Sequence, residues 1–68
     1  MNRPQLTRAD ALNIFSALLG VYQVRRIAVD AGDDDTFVWS AEVLLTDGWR
    51  LATFDDHYPE DAAIDWAS

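Results

Sequence analysis

Two runs of alternating apolar and polar residues, on either side of Asp47-Gly48, constrain the fold more than any other feature of this chain. They span residues 36–45 and 49–55. An Asp-Gly pair between two such runs is typical of a β-hairpin with a two-residue type I′ turn, in which both turn residues have a positive φ. With Asp47-Gly48 as the loop, Ala41 pairs with Phe54 and the other pairs follow in the same register. We therefore predict a hairpin.

The two faces of this hairpin differ in character. Residues that oppose each other across two antiparallel strands lie on the same face. We expect one face to form the core, and its members are Phe37, Trp39, Ala41, Val43, Leu45, Ala52 and Phe54. The other face is mixed and largely solvated, and it carries Val38, Ser40, Glu42, Leu44, Trp49, Leu51, Thr53 and Asp55.

A helix is predicted before the hairpin. Thr7 and Asp10 have the spacing of a capping box, in which two side chains three residues apart accept hydrogen bonds from each other's backbone N–H groups. Gly20 suits the C-terminal end. The apolar residues between them recur at helical spacing over residues 7–19, with Ile14 at the margin of a stripe formed by Ala11, Leu12, Phe15, Leu18 and Leu19.

A further strand is predicted at about residues 22–30, but its alternation changes phase at Arg25-Arg26. One extra residue there would form a β-bulge and return both halves to the same face. Alternatively, the first residues still belong to the connection from the helix. The sequence leaves both interpretations open.

The chain ends in a segment for which we predict a short helix or coil at about residues 59–67. Pro59 suits the first helical position, and Glu60 and Asp61 suit its electropositive N-terminus. So short a helix forms only if it packs. The predicted fold is a single α+β domain over residues 1–68, with the N-terminal helix on a three-stranded antiparallel meander whose strands lie at about residues 22–30, 36–45 and 49–55.

Composition excludes several classes of protein. A chain of 68 residues is long enough for one domain, and it has no Cys for a disulfide or a thiolate metal site. No stretch approaches the roughly 20 apolar residues of a membrane span, and the first residues lack the apolar region of a signal peptide. We expect a cytoplasmic protein.

The charge is strongly divided along the chain. Residues 1–28 contain four arginines and one aspartate, a net +3, whereas residues 29–68 contain eleven acidic residues and one arginine, a net −10. A field of that sign repels nucleic acid and anionic membranes and favours basic partner surfaces. We therefore expect a basic protein partner, with no direct binding to nucleic acid or membrane.

Catalytic and cofactor-binding arrangements are nearly absent. His57 is the only histidine and there is no Cys or Lys, so a nucleophile with a base and an orienting group is not expected. Asp55, Asp56 and His57 could hold a metal weakly, but a solvated loop is the favoured interpretation. The segment 30–35 does not match a calcium-binding EF-hand loop, and a polar hairpin loop is favoured. We predict no enzyme activity, no metal and no cofactor.

The acidic surface is the candidate partner-binding site. Alternate residues on one face of a strand lie about 6.7 Å apart, which resembles the spacing of phosphates along a nucleic-acid strand. The candidate residues are Asp33, Asp34, Asp35, Glu42, Asp55, Asp56, Glu60 and Asp61, together with Trp49. An alternative is that the acids only keep a small, half-apolar domain soluble.

Trp49 has its own alternatives. With Leu44 and Leu51 it forms an apolar patch on the wet face, which has the composition of a protein-binding hot spot. The patch could equally be covered by the C-terminal segment, with Trp66 over Trp49. In the first case the protein could also be a small structural or oligomerisation subunit.

In size, acidity and lack of catalytic residues the chain resembles the small phage-encoded anti-CRISPR proteins that mimic DNA. The stretches that carry the resemblance are Asp33-Asp34-Asp35, Asp55-Asp56 and Glu60-Asp61, and no family motif is present. Immunity proteins and antitoxins that cap nucleases or toxins resemble it on the same criteria. The resemblance implies a stoichiometric inhibitor, a monomer or weak homodimer, that binds a CRISPR effector subunit and blocks target DNA.

Overall fold

The computed structural model describes residues 4–18, 20–32 and 36–65, and within them it contains one helix and a four-stranded antiparallel sheet. The sheet is a meander in which sequence neighbours are also spatial neighbours, in the order β1-β2-β3-β4. The α+β prediction is confirmed at this level. In chain order the elements are α1 (Arg8–Leu18), β1 (Gln23–Ala31), β2 (Phe37–Leu45), β3 (Gly48–Asp55) and β4 (Tyr58–Asp65).

The helix begins at the predicted capping box. The Asp10 N–H donates to Thr7 Oγ1 at 3.1 Å, and the Thr7 N–H donates to Asp10 Oδ2 at 3.1 Å. Each side chain thus satisfies a backbone donor that the first helical turn leaves free. This local signal was sufficient to locate the start of the helix.

The buried side of α1 is rotated from the predicted stripe. Ala11 and Phe15 are fully buried and Ile14 is half-buried, whereas Leu12 is 42% exposed. The prediction that Leu12 is buried is wrong. The Phe15 ring packs 4.9 Å from the Phe54 ring of the sheet and so sets the orientation of the helix. Because consecutive helical residues point about 100° apart, burial of Ala11 turns Leu12 toward solvent. The Leu18 side chain and Leu19 lie outside the described part of the chain.

The predicted core face is confirmed for five of its seven residues, whereas Phe37 and Leu45 are half-buried. Five strand residues are at most 4% exposed, and they are Trp39, Ala41, Val43, Ala52 and Phe54. The Trp39 and Phe54 rings stack with centroids 6.4 Å apart and an interplanar angle of 18°. These residues form one cluster with Ala11 and Phe15, so α1 covers one face of the sheet. We call this the covered face.

The hairpin register differs from the prediction. Ala41 pairs with Ala52 rather than with Phe54, and the loop is Thr46-Asp47. Neither loop residue has a positive φ, whereas Gly48 has a φ of 121°. The turn therefore comes one residue earlier than a type I′ turn on Asp47-Gly48 would place it. Because the partners shift by two residues, an even number, every side chain keeps its predicted face.

The bulge in β1 is confirmed. Arg25 pairs with Glu42 but Ala28 pairs with Ser40, so β1 has one more residue than β2 between these pairs. Arg26 has a φ of 57°, the left-handed region that non-glycine residues rarely adopt. The extra residue returns the rest of the strand to its original face, as the change of phase suggested.

The prediction of a C-terminal helix and of a sheet with only three strands is wrong. Residues 58–65 form β4, in which Ile64 pairs with Ala52 and Ala63 pairs with Thr53. Ala62 and Ile64 pack against the core cluster, alternating with exposed residues. Pairing with β3 gives these residues a partner that an isolated short helix lacks. Pro59 fits near the start of this edge strand, where a missing N–H is tolerated.

The sheet face opposite α1 has no helix over it in the described parts of the chain, and we call it the open face. Val38 and Leu51 on this face are 37% and 38% exposed, so its apolar residues are in contact with solvent. By strand register and alternation it carries Gln23, Arg25, Ala28 and Asp30 of β1, Val38, Ser40, Glu42 and Leu44 of β2, Trp49, Leu51, Thr53 and Asp55 of β3, and Ala63 of β4.

Candidate partner-binding site

Carboxylates gather at one end of the open face. Asp30 and Asp55 both pair with Val38, one on each side, so their backbones are two strand spacings apart, about 10 Å. This end is where β1 leads into β2 and β3 leads into β4. The predicted site residues Asp33, Asp34 and Asp35 belong to the first of these connections and lie outside the described residues.

The edge strand β4 adds to this end. Tyr58 pairs with Asp55 and is 58% exposed, and Glu60 and Asp61 are exposed further along the strand. We call Asp30, Asp55, Tyr58, Glu60 and Asp61 the acidic end. Sequence reasoning missed Asp30 and Tyr58 as site residues. The signal for Tyr58 was its position directly after the turn that follows Asp55.

Asp56 differs from its neighbour Asp55, because it is 3% exposed. Its Oδ1 accepts hydrogen bonds from Trp39 Nε1 at 2.9 Å and from the Leu6 N–H at 3.3 Å, and its Oδ2 accepts one from the Gln5 N–H. Its own N–H donates to Phe37 O at 2.9 Å. The prediction of Asp56 as a surface carboxylate is therefore wrong, since these donors hold the carboxylate inside the fold.

We call Gln5, Leu6, Trp39 and Asp56 the N-terminal clasp, because one carboxylate joins the segment before α1 to the sheet. His57 is next to it and exposed: its Nδ1 lies 2.9 Å from Gln5 Nε2, and its N–H donates to Asp55 Oδ1 at 2.8 Å. Within the described residues no three His, Asp or Glu side chains form a group that could hold a metal ion. The weak metal site predicted from Asp55, Asp56 and His57 needs the Asp56 carboxylate as a ligand. In the clasp, this carboxylate already accepts hydrogen bonds from three N–H groups.

The opposite end of the open face is cationic and aromatic. Arg25 Nε lies 2.9 Å from Glu42 Oε1, and Arg26 Nη1 lies 3.2 Å from the same oxygen. The Arg25 guanidinium also stacks on Trp49, with Cζ 3.8 Å from the ring centroid. We call these four residues the Arg–Trp end. Glu42, predicted as a partner-binding carboxylate, is paired here with two arginines and is separated from the acidic end.

A third ion pair lies at the same end of the sheet, where Arg50 Nη2 is 3.2 Å from Asp47 Oδ2. Leu44 pairs with Trp49 between these charged groups, and both side chains are half-buried. The predicted patch of Leu44, Trp49 and Leu51 is therefore continuous across β2 and β3. Trp66, the alternative cover for this patch, lies outside the described residues.

Comparisons with known proteins return nothing for this chain: no family model, no curated protein and no solved structure matches it. The resemblance to acidic anti-CRISPR proteins has no support from them and stays a prediction. In the described part of the chain, no helix has the length and apolar character needed to cross a membrane.

Proposed function

We propose that this protein is a stoichiometric inhibitor without catalytic activity, which binds a basic, nucleic-acid-binding surface of a partner protein through its acidic end. One observation carries the proposal. Asp30 and Asp55 flank Val38 on an open sheet face, and among the described residues no arginine forms an ion pair with either of them. Arg25 and Arg26 pair instead with Glu42 at the Arg–Trp end, and Arg50 pairs with Asp47 at the same end of the sheet.

Carboxylates in this arrangement suit a surface that normally binds phosphates. Arginine and lysine side chains bind carboxylates and phosphates through the same charge-assisted hydrogen bonds. The backbone spacing of about 10 Å between Asp30 and Asp55 holds the two groups apart on rigid strands. Glu60 and Asp61 are exposed on β4 and add negative charge to this edge of the sheet. The exposed ring of Tyr58 adds the kind of aromatic group that is enriched in binding hot spots.

The proposed contact set differs from the one derived from sequence. Glu42 is left out because two arginines share its carboxylate, and Asp56 is left out because it is buried in the clasp. Asp30 is added. Asp33, Asp34 and Asp35, which follow β1 and Gly32 in the sequence, are kept as proposed contacts on their sequence position alone.

The partner class follows from the charge. A net charge of −7 steers the protein toward cationic clefts and away from nucleic acid itself. Within that class we propose a CRISPR effector subunit that binds target DNA, in the cytoplasm of a bacterial cell. A nuclease or toxin that an immunity protein or antitoxin would cap is the alternative partner of the same chemistry.

The experiment is capture of the partner from bacterial lysate at low and high salt, followed by competition with an oligonucleotide. The acidic-end variant is Asp30→Asn with Asp55→Asn, and the amide that replaces the Asp55 carboxylate keeps an oxygen for the His57 N–H. The matched control is Glu42→Gln with Asp47→Asn, which removes two negative charges from the opposite end of the sheet. We expect the acidic-end variant to lose about tenfold or more in affinity while the control keeps its affinity.

Salt and nucleic acid supply the second readout. Screening shortens the range of charge interactions to about 10 Å at 0.1 M salt, so capture should weaken steeply as salt is raised. The oligonucleotide should displace the protein from its partner. A partner that lacks a basic cleft, capture that is indifferent to salt, or equal losses in both variants would each refute the proposal.

A further inference from the structure

We propose that the open face is an interface for a second copy of this chain, with the two sheets face to face and the acidic end of each copy over the Arg–Trp end of the other. The first observation is the position of α1. It covers one face of the sheet, while the other face exposes Val38 and Leu51 to 37% and 38% and carries the half-buried Leu44–Trp49 pair next to Leu51. Two open faces packed together bury these side chains in the way that β-sandwiches do.

The size of the face is sufficient for a specific contact. The four strands have eight or nine residues each. With strands about 4.8 Å apart and a rise of about 3.3 Å per residue, the face measures roughly 19 by 28 Å, or about 500 Å². Two such faces together bury about 1,000 Å², the area at which specific interfaces begin.

The charges on the face are complementary to themselves. In an interface with two-fold symmetry, every contact occurs twice: if one residue of the first copy contacts another residue of the second copy, the same two residues also meet with the copies exchanged. At the Arg–Trp end two guanidinium groups share the carboxylate of Glu42, which leaves one positive charge unbalanced among these side chains. Asp30 and Asp55 supply negative charge at the other end of the same face.

This distribution selects the orientation of the two copies. A two-fold axis perpendicular to the strands places the acidic end of one copy over the Arg–Trp end of the other. An axis parallel to the strands would place like charges together, which is unfavourable. Length adds a reason for association: a domain of 68 residues buries a small core, and association is one way in which domains of this size gain stability.

Asp30 and Asp55 belong to both proposed surfaces. A copy whose acidic end is bound to a basic partner cannot use the same side chains for a second copy, so partner binding should dissociate the dimer. Sedimentation of the purified chain involves no partner, whereas capture from lysate does. Sedimentation can therefore refute the dimer without refuting the inhibitor function, and capture from lysate can refute the inhibitor function without refuting the dimer.

The first test compares two leucines of nearly equal exposure on opposite sides of the molecule. Leu51→Glu adds a charge to the open face, and Leu12→Glu adds the same charge to the exposed side of α1, where Leu12 is 42% exposed. Sedimentation equilibrium over a concentration series measures the dissociation constant, and circular dichroism checks the fold. We expect Leu51→Glu to weaken the dimer about tenfold or more, while Leu12→Glu leaves it unchanged.

The second test swaps charges and does not depend on Leu51. Arg26→Asp and Asp30→Arg should each weaken the dimer about threefold, and the double variant should recover it. Asp also tolerates the left-handed backbone at position 26. In one copy these residues are four positions apart on β1, about 13 Å, so recovery has to come from contacts between copies.

Three outcomes would overturn the inference. The first is a wild-type chain that remains monomeric up to about 1 mM. The second is a tighter dimer in either single charge variant, which would mean that like charges meet. The third is a tighter dimer in Trp66→Ala, because it would show that the C-terminal segment of the same chain occupies the open face.

Discussion

The two faces of the sheet are built from the same strands but differ in burial and in charge. On the covered face, apolar residues such as Trp39, Val43 and Phe54 are at most 4% exposed, and they pack against α1. On the open face, the alternate residues of the same strands include ion pairs, a stacked Arg25 and two separated ends of opposite charge. We therefore expect most of the stability to come from the covered face, while the open face can carry charged groups without loss of core packing.

The largest effect is expected where the covered face meets the helix. Phe15→Ala removes a fully buried ring that packs on Phe54, and we expect it to lower the free energy of unfolding by about 3–5 kcal/mol. Leu12→Ala, on the exposed side of the same helix, should cost less than about 1 kcal/mol. Urea denaturation followed by circular dichroism measures both. Equal losses would mean that α1 packs with a different side against the sheet.

The N-terminal clasp allows a sharper comparison between two adjacent aspartates. Asp56→Ala leaves the Trp39 indole N–H and two backbone N–H groups without their acceptor, so we expect a loss of about 2–4 kcal/mol. Asp55→Ala removes one exposed hydrogen bond, and the loss should stay below about 1 kcal/mol. Thermal unfolding of the two variants under the same conditions measures the difference. Similar melting temperatures would contradict the assignment of Asp56 as a structural carboxylate.

Features that depend on residues close in sequence could be predicted from the chain. The capping box of Thr7 and Asp10 needs only a three-residue spacing. The faces of β2 and β3 follow from strict alternation, which survives the error in register because the shift is even. The bulge at Arg26 left a change of phase in the pattern.

Features that depend on distant pairing could not be predicted in this way. The segment after Pro59 has acceptable helical signals, and only the free edge of β3 makes it a strand. The clasp joins Asp56 to Gln5, 51 residues away, so nothing near Asp56 distinguishes it from Asp55. The Arg25–Trp49 stack requires the register of three strands. The candidate site changed for the same reason, with Glu42 and Asp56 leaving it and Asp30 entering it.

A smaller effect is expected at the start of the helix, at the margin of the covered face. Thr7→Ala removes the side chain that accepts from the Asp10 N–H, and we expect a loss of about 1 kcal/mol. Ser16→Ala, exposed in the last turn of α1, should change stability by less than about 0.5 kcal/mol, since Ala is a good helix former. Denaturant midpoints of the two variants test this. A loss at Ser16 as large as that at Thr7 would show that the effect is not one of capping.

The smallest effect is expected on the open face, and it tests whether the two faces really differ in their share of stability. Arg25→Ala removes an exposed stack on Trp49 and one ion pair with Glu42, and we expect a loss of about 0.5–1 kcal/mol. A double-mutant cycle with Trp49→Leu isolates the stack, and Trp49 fluorescence should shift when the guanidinium is removed. A loss above about 2 kcal/mol would place Arg25 among the residues that hold the fold together. The open face would then be a second structural layer, and its charges could no longer be varied independently of the core.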